Sequence, residues 1–195
     1  MRLLVAFFLL LATAGAGLAD KVELGEDGLH KPAWFTITFR DIAEDVAAAK
    51  QAGKRLALIF EQAGCGYCKE VHETVLVDPE VKKFISEHFV MVQYNLFGSE
   101  EVTDTDGETL TEKTAARKWG VIFTPTILFL PETVVPGKPV AAQAVARMPG
   151  AFHKGTFLDM FVWVSGRGYA TDESFPQYHA RMVRERQKAK EAQAD

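Results

Sequence analysis

The chain of 195 residues is 48% hydrophobic and carries 22 basic and 26 acidic residues, for a formal net charge of −4. A chain of this length can bury one substantial core, so it fits a single domain of ordinary size. The slightly acidic balance does not favour a phosphate-backbone ligand, so we expect no nucleic-acid partner.

The N-terminal segment has the composition of a secretory signal peptide. Arg2 is the only charged side chain in residues 1–19, residues 3–11 are unbroken apolar, and small residues precede a cleavage point after Ala19. The apolar run is shorter than the about 20 residues that a membrane span needs, although an uncleaved anchor is the alternative. We therefore predict cleavage, a periplasmic location and no stable membrane insertion for the mature chain.

The domain begins after an N-terminal arm. Glycine and proline interrupt any period in residues 20–40, which predicts an irregular arm ahead of a domain over residues 41–170. Apolar side chains at helical spacing predict a helix over 42–51 with Asp41 as its cap. The strongly apolar segment 55–60 predicts a strand that is buried on both faces.

Alternating helical and extended patterns in the remainder predict an α/β fold with a mixed sheet covered by helices. The further predicted elements are a helix from the cysteines to residue 73, a helix 79–88, a strand 89–95, a helix 111–119, a strand 127–130, a strand 142–148 and a closing helix around 157–164. The acidic stretch 98–108 is expected to be a surface insertion rather than core. The charged tail, residues 171–195, is expected to be a solvated helix or a frayed end rather than a binding patch.

Cys65 and Cys68 carry the strongest functional signal. A bridge across so small a loop restrains the unfolded chain by only about 2 kcal/mol, so reactivity explains the pair better than stability does. Cys65 follows a buried strand and opens a helix, where the helix dipole and unpaired N–H groups favour thiolate over thiol. Cys65 is therefore the predicted nucleophile, and Cys68 is the residue predicted to resolve the mixed disulfide.

The cysteine spacing also leaves a metal site open as an alternative. Cys65, Cys68 and His72 fall on one helical face and could supply three ligands. The sequence offers no evident fourth ligand, and we favour His72 as a partly exposed helix residue. We expect no cofactor beyond the redox-active cysteine pair, with a glutathione-linked activity as a further, weaker alternative.

Residues 124–126, with the sequence Thr-Pro-Thr, open the later apolar strand. Together with the segment 60–68, which contains both cysteines, this constellation resembles the thioredoxin superfamily, and within it the periplasmic SoxW-type thioredoxins of sulfur-oxidation systems. The resemblance spans roughly residues 39–170. It implies a thioredoxin fold and a thiol:disulfide oxidoreductase activity.

The resemblance also implies roles for the residues around the cysteines. Pro125 is expected to be cis and to lie against the cysteines, although an ordinary trans proline is the alternative; a cis X–Pro bond in a folded protein is usually a functional feature. The backbone of Thr124 would pair with an extended substrate segment. Tyr67 would shape the substrate contact, and Gly66 would leave the turn unobstructed.

The sequence departs from the common thioredoxin pattern at one position. Ile59 stands where a buried aspartate usually assists the resolving thiol. Glu61, two residues later and therefore on the same side of the strand, is the candidate base. The alternative for Glu61 is an ordinary solvent-facing or strand-end carboxylate.

The residues between the cysteines leave the direction of the reaction open. The resemblance favours a reductase that takes electrons from a membrane thiol donor of the DsbD or CcdA type. Its substrates would be oxidised periplasmic proteins of sulfur-oxidation or cytochrome-maturation systems. The alternatives are a disulfide oxidase or isomerase, which acts on reduced or mispaired proteins, and a metal-binding chaperone of the same fold.

Overall fold

A computed structural model of the chain describes residues 22–194, so the predicted signal peptide lies outside the described residues. The strands are β1 (Glu23–Leu24), β2 (His30–Lys31), β3 (Arg55–Glu61), β4 (Phe89–Asn95), β5 (Glu101–Thr103), β6 (Thr109–Thr111), β7 (Thr126–Phe129) and β8 (Ala146–Pro149). The helices are α1 (Ile42–Gln51), α2 (Gly66–Glu70), α3 (Pro79–His88), α4 (Glu112–Lys118), α5 (Lys154–Ser165) and α6 (Phe175–Ala194).

The central sheet has four strands in the order β4-β3-β7-β8. β3 is parallel to β4 and antiparallel to β7, and β7 is antiparallel to β8. Every residue of β3 is buried, as its continuous apolar run predicts for a strand that is covered on both faces. The predicted mixed sheet flanked by helices is confirmed.

Two apolar clusters lie on the two faces of this sheet, because successive side chains of β3 point to opposite sides. Leu58 and Phe60 belong to the cluster that α1 and α4 cover, and that cluster includes Trp119. Ile59 belongs to the cluster that α3 and α5 cover. The carboxyl end of β3 therefore emerges between two packed layers, and the chain turns there into α2.

The N-terminal arm contains a short hairpin within an otherwise irregular segment. β1 and β2 form an antiparallel hairpin, and Leu29 inside its loop is only 2% exposed. The Thr36 N–H donates to the Met91 carbonyl at 2.8 Å, so the arm continues along β4. Two-residue strands have no periodicity for a sequence pattern to show, and this hairpin depends on packing against the domain.

The acidic insertion is a β5–β6 hairpin whose inner residues are buried, which corrects the expectation of a purely surface segment. Val102 is fully buried, and Asp104 is 2% exposed. Asp104 accepts hydrogen bonds from Trp119 Nε1 at 2.9 Å and from the Val140 N–H at 2.9 Å. These two donors give a carboxylate partners inside the fold, so a residue that the sequence places in a polar loop anchors the insertion.

The last strand begins later than the predicted 142–148. A 3₁₀ turn occupies Val140–Ala142, and the Ala144 N–H donates back to the Val140 carbonyl at 2.9 Å. These local hydrogen bonds use backbone groups that a strand would pair with its neighbour. β8 consequently starts at Ala146, where pairing with β7 begins.

The charged tail forms the helix α6, one of its two predicted forms, and α6 docks on α5. Both guanidinium nitrogens Nη1 and Nη2 of Arg186 donate to the Asp159 carboxylate at 2.7 Å. His179 Nδ1 lies 2.6 Å from the same carboxylate, which is nearly buried. Within residues 22–194, no helix is both long enough and apolar enough to cross a membrane.

Candidate active site

Cys65 and Cys68 form a disulfide at the start of α2. Cys65 is the N-cap residue, and its Sγ accepts a hydrogen bond from the Cys68 N–H at 3.0 Å. Gly64, with φ of +72°, makes the turn from β3 into α2 in a backbone region that favours glycine. Cys68 is 2% exposed whereas Cys65 is partly exposed, so Cys65 presents the sulfur that a second molecule can reach.

The loop before β7 lies directly against Cys65. The peptide bond between Thr124 and Pro125 is cis, and Thr124 Oγ1 donates to Cys65 Sγ at 3.3 Å. The Gly150 N–H donates to the Pro125 carbonyl at 2.7 Å, which ties this loop to the end of β8. The fold thus brings the two motifs of the sequence analysis into contact.

Exposed apolar side chains surround this contact. Tyr67, between the cysteines, is 68% exposed, and Ile122 and Phe123, which directly precede Thr124, are 80% and 48% exposed. Ile122 and Phe123 were missed by the sequence analysis, although two apolar residues beside a Thr-Pro pair were a visible signal. Clustered exposed apolar residues are typical of a surface that binds another molecule.

Glu61 is the last residue of β3 and is fully buried, which rules out the solvent-facing alternative for this residue. Its Oε1 lies 2.7 Å from His72 Nε2. Its Oε2 accepts a hydrogen bond from Gln93 Nε2 at 2.5 Å. These two hydrogen-bond partners compensate the buried carboxyl group for its loss of water.

His72 is fully buried, so the prediction of a partly exposed helix residue is wrong. α2 continues as a π-helical turn over Val71–Val75, and π turns inside helices are frequent at functional sites. His72 follows Cys68 by four residues, the spacing that places two side chains on one helix face. That face is the buried one, and the spacing from Cys68 was the signal that could have revealed it.

The geometry of His72 also bears on the metal alternative. Its Nε2 is engaged by Glu61. Its Nδ1 is buried and has no hydrogen-bond partner among the described residues. Within residues 22–194, no group of three or more histidine, cysteine, aspartate or glutamate side chains has an arrangement that could hold a metal ion.

Gln93 and the N-terminal hairpin complete the surroundings of Glu61, and the sequence analysis missed both. Gln93 Nε2 also donates to the His30 carbonyl at 2.7 Å, and Lys31 Nζ donates to Gln93 Oε1 at 2.8 Å. The His30 ring stacks on the His72 ring with a centroid distance of 4.8 Å. Burial lowers the pKa of His30. The polar Gln93, which follows four apolar residues in β4, was the available signal.

A cavity of about 700 Å³ opens between the β1–β2 hairpin and α2. Its lining includes Leu24, His30, Gln62, Cys65 and Lys69. The hairpin therefore forms one wall of the space in front of Cys65.

A mixed sheet whose central strand runs into a Cys-x-x-Cys helix, with a cis-proline loop facing it, defines a thioredoxin fold. The chain belongs to the family described as Thioredoxin-like domain, which it matches over residues 42–161. No curated protein sequence matches it.

Solved structures share this fold. A thioredoxin-fold protein from Helicobacter pylori is 20% identical with a TM-score of 0.55, covering 70% of this chain and 86% of that chain. A thioredoxin from Thermus thermophilus is 25% identical with a TM-score of 0.50, covering 66% of this chain and 86% of that chain. The thioredoxin fold predicted from the sequence is confirmed.

Proposed function

We propose that this protein is a periplasmic thiol:disulfide oxidoreductase that reduces oxidised proteins through Cys65 and Cys68. The observation that carries the proposal is the asymmetry of the cysteine pair. A partly exposed sulfur at a helix start is bonded to a buried sulfur one turn inward. The family membership and the likeness to a thioredoxin support the same chemistry.

The reaction proceeds by two thiolate attacks. In the reduced protein, the Cys65 thiolate attacks one sulfur of a substrate disulfide, and the other substrate sulfur leaves. Unpaired N–H groups at the start of α2 and the Thr124 hydroxyl stabilise the Cys65 thiolate. Cys68 then attacks Cys65 Sγ in the mixed disulfide, which releases the reduced substrate and closes the disulfide seen here.

The substrate segment lies across the loop that holds Thr124 and Pro125. The backbone of Thr124 pairs with an extended stretch of the substrate, because such pairing holds a peptide without demanding one sequence. Tyr67 contributes an exposed apolar ring next to the nucleophile. Gly66 has no side chain and leaves the approach to Cys65 open.

Glu61 acts as the base that takes the Cys68 proton. Ile59 occupies the usual aspartate position and is buried among apolar side chains, so it offers no proton acceptor. Glu61 is buried, and its carboxylate is hydrogen-bonded to a ring one helical turn from Cys68. A positioned base of this kind contributes about 10²- to 10⁴-fold to a proton-transfer step.

The cellular context follows from the predicted signal peptide and from the resemblance to SoxW-type thioredoxins. A chain cleaved after Ala19 enters the periplasm, where a reductase needs a supply of electrons from the membrane. A membrane thiol donor of the DsbD or CcdA type would supply them. The substrates would be oxidised proteins of sulfur-oxidation or cytochrome-maturation systems.

Insulin reduction by the mature chain tests the chemistry. The wild-type protein should catalyse it with a thiol reductant, and Cys65→Ser should reduce the rate to background. An equilibrium reduction potential of about −270 mV for the Cys65–Cys68 couple would support a reductase, whereas a value of about −120 mV would show an oxidant instead. Cys68→Ala should retain substrates on Cys65 as mixed disulfides that mass spectrometry of the periplasm identifies.

A further inference from the structure

Among the described residues, no lysine or arginine contacts the carboxyl group of Glu61. The side chains of Glu61 and His72 are fully buried. The partners of the carboxylate are a histidine ring nitrogen and an amide nitrogen. Burying an ionised carboxylate is costly unless hydrogen bonds compensate. The arrangement therefore fixes the position of the carboxylate while leaving it able to accept a proton.

The hydrogen bonds around Gln93 determine which atoms carry protons. The Lys31 ammonium can only donate, so the atom of Gln93 that it contacts is the amide oxygen. The amide nitrogen then faces Glu61, and Glu61 Oε2 accepts its hydrogen bond. Gln93 is thus a fixed donor to one oxygen of the carboxylate.

The other oxygen of the carboxylate shares a proton with His72. A proton on Nδ1 would be a buried N–H group without an acceptor, because Nδ1 has no partner among the described residues. A proton on Nε2 instead donates to Glu61 Oε1 at 2.7 Å. In the disulfide form, the pair is therefore a carboxylate and a neutral imidazole whose Nε2–H donates to it.

The N-terminal arm shields this pair from water. The His30 ring stacks on the His72 ring, and the Phe35 ring lies 5.9 Å from it, centroid to centroid. The His30 carbonyl also accepts a hydrogen bond from Gln93. The arm thus contacts both hydrogen-bond partners of Glu61 on the side that would otherwise face solvent. Excluding water in this way strengthens the hydrogen bonds to the carboxyl group.

We propose that His72 and Gln93 are positioning residues that hold the Glu61 carboxylate for proton exchange with Cys68. This inference rests on the proposed thiol–disulfide exchange. In the resolving step, the Cys68 S–H bond breaks, its proton goes to Glu61, and the electron pair stays on Cys68 Sγ. Cys68 Sγ then bonds to Cys65 Sγ, the bond from Cys65 to the substrate sulfur breaks, and the substrate leaves as a thiolate.

Three elements besides β3 bring charged or polar groups towards this pair. The β1–β2 hairpin contributes a histidine and a lysine–aspartate pair. α2 with its π-helical turn contributes an exposed lysine–glutamate pair, and β4 contributes an amide that does not titrate. These residues are His30, Lys31, Asp27, Lys69, Glu73 and Gln93.

Stopped-flow reaction with dithiobis-nitrobenzoate separates the two attacks. Reduced protein releases one nitrothiobenzoate when Cys65 attacks and a second when Cys68 resolves the mixed disulfide. His72→Leu and Gln93→Leu should each slow the second release by about tenfold or more, part of what a positioned base supplies, and leave the first release unchanged. His72→Gln, which keeps a donor for Glu61 Oε1, should stay within about threefold of the wild type.

Thr74→Ala is the matched control, because Thr74 is exposed on the same π-helical turn and bonds only to the Glu70 carbonyl in the described structure. Its two phases should equal those of the wild type. Equal slowing of both phases in His72→Leu, or a second phase as slow in His72→Gln as in His72→Leu, would overturn the positioning role. Circular dichroism identifies a variant that has not folded, and the Gln93→Leu result then decides.

The pH profile of the second phase separates positioning from a merely structural effect. The wild-type profile should shift in His72→Leu and be retained in His72→Gln, whereas superimposable profiles for all three proteins would contradict the proposal. Cys68→Ser shows the first release alone. If the wild-type protein lacks the second release, the proposed function fails; if it has that release and His72→Leu matches it, only the positioning role fails.

Discussion

Two nearly buried carboxylates in this fold bind a histidine, and they differ in their remaining partners. Glu61 contacts His72, four residues after Cys68 in the chain, and its second partner is the neutral amide of Gln93. Asp159 binds His179 where α6 docks on α5, and its second partner is the charged guanidinium of Arg186. Within residues 22–194, Glu61 thus has no lysine or arginine partner, whereas Asp159 has one.

The histidines differ in the same way. His179 uses both ring nitrogens, because its Nε2 lies 3.2 Å from Thr156 Oγ1. Burial alone would raise the pKa of Asp159, but hydrogen bonds from Arg186 and His179 outweigh burial and lower that pKa overall. Asp159 is therefore committed to its ionised form and serves as a structural anchor.

The remaining partners, rather than the carboxylate–histidine contact itself, decide whether such a carboxyl group can exchange a proton. A guanidinium and a fully bonded ring hold one protonation state. A neutral amide and a ring with one unpaired nitrogen do not hold one protonation state, so the carboxyl group can gain and lose a proton.

The largest effect is expected from Glu61→Gln, which keeps the shape of the side chain and removes its ability to take a proton. Disulfide exchange should slow by about 10²-fold, the lower end of what a general base contributes. Insulin turnover and the second nitrothiobenzoate release measure it. Glu87→Gln, an exposed change on α3, is the matched control. An undiminished rate in Glu61→Gln would remove the base from the mechanism.

Asp159→Asn should give the opposite pattern. The free energy of unfolding should fall by about 2 kcal/mol, because hydrogen bonds to a charged group are lost in a nearly buried site. Insulin turnover should be unchanged. Urea unfolding followed by circular dichroism measures the loss, with the exposed Asp172→Asn as control. A large loss of activity would show that the two pairs do not have separate roles.

Acid should weaken the α6 anchor through Asp159. The pKa of this residue in the fold is lowered from 3.8, so its contribution to stability is complete above that unfolded value and is lost as the pH falls through the lower folded value. The free energy of unfolding, measured from pH 6 downward to about pH 3, should fall more steeply in the wild type than in Asp159→Asn. Parallel curves for the two proteins would contradict this assignment.

The smallest effect is expected from Lys31→Met. Lys31 is half exposed and reaches Glu61 only through the Gln93 amide, and solvent screens charges at such positions to roughly 0.5 kcal/mol. The second nitrothiobenzoate release should slow by about threefold or less, and added salt should diminish the difference. Lys83→Met on α3 is the control. A tenfold effect would mean that Lys31 supplies the counter-charge that the pair lacks.

The sequence was sufficient for the architecture because the elements have strong local signals. The apolar run of β3, the caps of the helices and the Cys-x-x-Cys and Thr-Pro segments each predict their structure without tertiary information. The helix start at Cys65 follows from the same signals, whereas the closeness of the Thr124–Pro125 segment to the cysteines was implied only by the resemblance. The resemblance added the arrangement of the strands.

What the sequence did not reveal depends on contacts between distant segments. The burial of His72 requires Glu61 on one side and the His30 ring on the other. The burial of Asp104 requires donors from Trp119 and Val140. A polar residue is predicted to be exposed until its partner is known, because burial is favourable only once the hydrogen bonds are made.

The N-terminal hairpin has a consequence for how the protein can be handled. Residues 22–31 form a wall of the cavity before Cys65 and contact Gln93 and His72. A purification tag fused directly ahead of residue 22 would therefore sit at the mouth of this cavity. Recombinant samples for kinetic work should carry their tag at the opposite terminus, beyond α6.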